Sequence, residues 1–156
     1  VILPDSIETA VAPLFEALPM ERAMNALAVE TGAADALLGI VEQVVQNPAI
    51  AQRLTLQAGL WLFADELDRS HTISQGISDA TGSFWHGIMH RREGDFSNSH
   101  YWFNRTGHHP AMDAIDHYDA HAFIDDVASS NARTAEDLIA MQRREWAALF
   151  AWCANG

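Results

Sequence analysis

The chain has 156 residues, 49% of them hydrophobic and 19% charged, enough apolar surface for one packed domain and too much for a disordered chain. Its formal net charge of −12 argues against a nucleic-acid or anionic-membrane surface, because binding phosphates requires a basic face that releases counterions. All nine basic residues are arginine, so a Schiff-base lysine and a lysine-dependent P-loop are both excluded.

The expectation is a single all-helical domain spanning 1–156. No apolar run approaches the ~20 residues that cross a bilayer; the longest, such as AGLWLFA, suit buried helix faces. The opening VILPDS has neither an initiator Met nor a basic-then-apolar leader, which is compatible with a processed start, and the expected compartment is the cytoplasm. The lone cysteine, Cys153, forbids an internal disulfide and reads as a small buried hydrophobe.

Helix signals follow one another along the chain. Asp5 and Glu8 form a capping-box pattern after Pro4, and Pro19 suits the first turn of a second helix that ends at Thr31-Gly32. AADALLGIVEQVV reads as a third. Asn47-Pro48 opens a helix with an apolar face of Ile50, Leu54, Ala58, Trp61 and Leu62. After the break at Asp65-Glu66, a shorter helix runs from Leu67 to Ile77. Ser83 is the expected cap of a helix ending at Gly94, and Asp95 caps the next, through FSNSHYWFNRT to Gly107. The segment after Pro110 mixes loop and helix. Thr134 and Asp137 then cap a final helix whose inner face is Leu138, Gln142, Trp146, Leu149, Phe150 and Cys153. The predicted fold is therefore all-α, with seven or eight short helices packed as antiparallel hairpins.

Two breaks are related. ADELDRSHTIS after Ala58-Gly59 and EGDFSNSHYWF after Gly87 align at a spacing of 29 residues, Leu67 on Phe96 and Ser70 on Ser99. Gly87, Gly94-Asp95, Phe96, Ser99 and Phe103 stand where a tetratricopeptide repeat has its mid-helix small residue, its turn and its packing residues, so residues 52–110 resemble that family. The resemblance is partial: Ser83 stands where a Trp is expected, and the first copy has Asp65-Glu66 for Gly-Asp. It implies stacked helical hairpins, and with them a protein-interaction scaffold. Residues 84–110 and the closing MQRREWAALFAWC also resemble segments of a set of soluble bacterial and fungal proteins, which implies no activity and no site residues.

Chemistry concentrates in residues 84–110, which hold five histidines and three arginines. At helical spacing His86, His90 and Glu93 form one stripe, and imidazole and carboxylate at i, i+4 and i+7 suit a divalent metal such as zinc with a position left for water. His117 and His121 repeat the spacing, between Asp113 and Asp125. The zincin pattern is excluded because Gly87 follows His86, and the di-iron pattern because no Glu precedes a His by three. Asn98, Tyr101 and Arg105 form a second polar stripe, which the hairpin would turn toward His86, His90 and Arg91. Such a pocket would take a small polar or anionic ligand, with Arg as bidentate donor and rings as walls. His109, at a helix C-terminus, is a candidate acid or base.

Three readings are open: a binding module with this His/Arg/aromatic pocket, a small metal-dependent or His acid/base enzyme centred on His86, His90 and Glu93, and a scaffold. Against each stands a purely structural account. It makes the imidazoles packed groups, pairs Arg91 and Arg92 with carboxylates on a solvated face, and leaves His71 and His100 as packed or surface histidines.

Overall fold

A computed structural model describes residues 2–131 and 134–156. These residues form eight α-helices and one 3-10 turn, with no strand among them. The helices are α1 (Asp5–Ala17), α2 (Asp35–Gln46), α3 (Leu54–Phe63), α4 (Leu67–Ser74), α5 (Ala80–Arg92), α6 (Phe96–Thr106), α7 (Ala120–Ala128) and α8 (Ala135–Asn155), with the 3-10 turn at Pro110–Ala114. None of the described helices is long and apolar enough to cross a membrane.

The all-α hairpin architecture is the one expected, and its two central hairpins, α3–α4 and α5–α6, share a bonding pattern. Asp65 (φ 63°) and Gly94 (φ 83°) both take the left-handed conformation that ends a helix, which Asp tolerates and Gly adopts freely. The following amides of Glu66 and Asp95 donate back to the carbonyls of Trp61 and His90. Ser70 then donates to the Ala58 carbonyl at 2.8 Å and Ser99 to that of Gly87 at 2.7 Å. Each pair of equivalent groups lies 29 positions apart, so the alignment marks one structural unit used twice. Close approach explains the small residue: a Cβ on Gly87 would lie 2.7 Å from the Phe103 ring.

Helix α5 lies at the centre, packed against α3, α4 and α6, and every residue from Thr81 to Arg92 is buried. Its cap is Asp79, whose carboxylate accepts from the amides of Thr81 and Gly82, so the helix begins a turn before the expected Ser83. Beside it α3 and α8 supply an aromatic core in which Trp146 stacks on Phe150 at 4.6 Å and meets Phe63 at 4.9 Å. The Trp146 indole donates to the Gly59 carbonyl at 2.8 Å. Cys153 is buried in this core, and burial pushes its thiol up to about 11.

Two predicted helices are corrected. After α1 the chain from Pro19 makes irregular turns, with Met24 at φ 51°. Side chains from elsewhere hold its carbonyls: Gln142 donates to those of Met24 and Ala26, Arg143 to that of Ala23, and Arg92 to that of Ala26. Asn47 does start a turn, its side chain accepting from the Ala49 amide, but successive turns follow and α3 begins only at Leu54.

The solvated face expected for Arg91 and Arg92 is also corrected, since both side chains are fully buried. Arg91 forms a two-pronged pair with the buried Glu145 of α8, at 2.9 and 2.7 Å, and lies over the Phe123 ring. Tyr118 donates its hydroxyl to the same carboxylate, and burial followed by that negative charge raises its pKa well above the usual phenol range. Arg92 bonds Asp65 at 2.7 Å and the Leu62 carbonyl at 3.0 Å.

Candidate functional site

Because α5 carries His86 and His90 one turn apart, their rings stack, with centroids 4.8 Å apart. Helix α4 packs across this face and adds His71, whose ring meets His86 edge-on at 4.7 Å and His90 at 5.3 Å. From α6, Trp102 lies flat on His86, with centroids 3.8 Å apart and planes 14° from parallel. Three helices thus enclose three imidazoles, each offering a nitrogen within 4.8 Å of the others.

His86 is the unusual member. It is 3% exposed, and neither ring nitrogen has a hydrogen-bond partner. Burial first, and then the neighbouring His90 and His71, lower its pKa to about 3, so the ring is neutral at physiological pH. His90 is anchored differently. Its Nδ1 lies 2.6 Å from Glu93 Oε1. A carboxylate accepts, so Nδ1 is the donor in this bond and Nε2 is the ring nitrogen left to meet a ligand. His71 is half-buried and gives the cluster its contact with solvent.

The stripe His86, His90 and Glu93 therefore does not converge as predicted. Glu93 orients His90 and belongs to a separate, more exposed group with His90 and Asp95, whereas His71 completes the inner one. Nothing along α4 signals that role; it arises from the packing of α4 on α5.

The predicted pocket for a polar or anionic ligand does not assemble around these rings. Arg91 points into the core toward Glu145. Asn98 is exposed and donates to Asp95 at 2.7 Å, and Tyr101 is 51% exposed. Arg105 is exposed and stands over the Trp102 ring, 5.4 Å from its centroid. A stripe on α6 whose inner face is taken by Ser99, Phe103 and Thr106 must point outward.

His109 is buried with both nitrogens engaged. Nδ1 accepts from the Ala111 amide at 3.1 Å, so Nε2 carries the proton and donates to the Thr81 hydroxyl at 3.0 Å. Burial lowers its pKa, and its role is to join the 3-10 turn to α5.

His117 and His121 do not form the predicted helical pair, because His117 precedes α7 in the left-handed conformation, at φ 58°. His121 instead meets His100, the residue aligned with His71. Their Nδ1 atoms are 2.7 Å apart, and His100 Nε2 lies 2.9 Å from Asp125. The carboxylate fixes His100 as donor through Nε2, and one of the two Nδ1 atoms donates to the other. These bonds use both nitrogens of His100.

No family model, curated protein or solved structure matches the chain.

Proposed function

We propose that the protein binds one divalent transition-metal ion through His71, His86 and His90. The observation that carries this reading is His86: two ring nitrogens out of water with no hydrogen bond, beside two further imidazoles. A buried polar group normally finds a partner, and a desolvated imidazole held neutral is a metal ligand at no protonation cost. Zinc–nitrogen bonds of about 2.0–2.1 Å place tetrahedral donors about 3.3–3.4 Å apart. Donor atoms within 4.8 Å reach that spacing when the stacked His86 and His90 rings turn to aim their in-plane lone pairs at one point. The bond from His90 to Glu93 is the carboxylate–histidine arrangement that orients a ligand and raises its basicity. An all-imidazole set favours zinc, copper, nickel or cobalt over magnesium or calcium, which prefer oxygen.

Calorimetric titration of zinc into chelator-treated protein tests the reading. One ion per chain is expected, with His86→Ala losing tight binding while keeping its helical circular dichroism. Glu93→Gln should weaken affinity by about 10–100-fold through loss of the orienting carboxylate. Equal zinc uptake by the wild type and His86→Ala would remove the proposal.

A further inference from the structure

Resting on that metal reading, we infer that the ion in the His71/His86/His90 site keeps one coordination position for an exchangeable ligand, water at rest and a small monodentate ligand in competition. The donor count is the first ground. Among the described residues, no fourth His, Cys, Asp or Glu offers an atom to the group of three. Glu93 shares a group with His90 and Asp95 but not with His71 and His86, and its near oxygen is taken up by His90. Cys153 is buried beside Thr55 and Trp85, with its thiol pushed up to about 11, and lies outside the group of three. Three protein ligands are the mark of zinc sites that retain a water, whereas sites serving only to hold a fold are closed by four.

The surroundings set what can enter. Trp102 covers His86, and His90 is only 7% exposed, so approach is past the half-buried His71. Three neutral imidazoles leave the ion both its positive charges, which favours a donor carrying a lone pair or a single negative charge. On the Glu93 side of His90 a cleft of about 300 Å³ is lined by the acidic residues Glu30, Asp65, Glu66, Asp68 and Glu93, of which Asp65 is paired with Arg92. Its field opposes a multiply charged anion. Azide, thiocyanate and free imidazole fit these limits; phosphate does not.

Cobalt(II), loaded into the chelator-treated full chain, supplies the readout. Visible bands of a four-coordinate cobalt centre should appear at one ion per chain. Azide and imidazole should each shift them saturably at millimolar concentration, and phosphate at the same concentration should not. Bands that appear but respond to neither azide nor imidazole would overturn the open position while leaving metal binding intact. Bands that respond to phosphate as strongly as to azide would overturn the assigned ligand class. Absence of any cobalt band would remove the metal reading itself.

Discussion

Lowering the pH of the metal-free protein from 7 to 5 should cost it about 2 kcal/mol of stability through His86 alone. In the folded protein this ring has its pKa lowered from 6.5 to about 3, mainly by burial and then by His90 and His71. The unfolded chain takes up a proton as the pH passes below 6.5, which the folded chain accepts only near 3. The folded pKa is the depressed one, so the stability is fully present above 6.5, is lost as the pH falls, and levels off below about 3. Within that window the slope approaches about 1.4 kcal/mol per pH unit. Urea unfolding followed by circular dichroism, in chelator at pH 7 and pH 5, measures the loss. His86→Leu has no proton to bind, so its loss over the same interval should be smaller by about 2 kcal/mol. Equal losses in the two proteins would refute the reasoning, whatever their absolute stabilities.

Removing half of the buried pair should be more severe than removing both. Glu145→Ala leaves the Arg91 guanidinium charged and unpaired in the core, with an expected loss of about 3–5 kcal/mol in urea midpoint analysis. Arg91→Met combined with Glu145→Leu should recover much of that loss. Two glycines make an opposite pair. Gly87→Ala puts a methyl 2.7 Å from the Phe103 ring, and thermal unfolding should show about 1–3 kcal/mol of destabilisation. Gly39→Ala, in α2 with nothing within 4 Å, should stabilise by about 0.5–1 kcal/mol.

Much of the fold is legible in local signals. Asp95 caps α6, Gly107 ends it, and the inward face of α8 runs through Gln142, Trp146, Leu149, Phe150 and Cys153 as its 3.6-residue period requires. The 29-residue register marks the two hairpins because the turn and the serine bond recur in both. Where local reading fails, distant groups decide. The turns after Pro19 persist because Arg92, Gln142 and Arg143 satisfy their carbonyls. Arg91 and Arg92 look like surface residues, yet α5 is buried on every side, so their charges find Glu145 and Asp65.

The site was half legible for the same reason. His86 and His90 share a helix, and their spacing alone brings them together. His71 joins them only because α4 crosses α5, a contact without a sequence period. Glu93 is at the right spacing for a ligand and is spent on His90 instead. The stripe of Asn98, Tyr101 and Arg105 is real, but the other face of α6 carries the packing residues, so it faces outward.

X-ray absorption at the zinc edge addresses the metal site most directly. The zinc-loaded wild type should give a first shell containing three imidazole nitrogens at about 2.0–2.1 Å. One imidazole should disappear from the shell in His71→Ala, a residue that helical spacing on α5 would never select. A shell of oxygen donors, or one unchanged by that substitution, would contradict a metal held between α4 and α5.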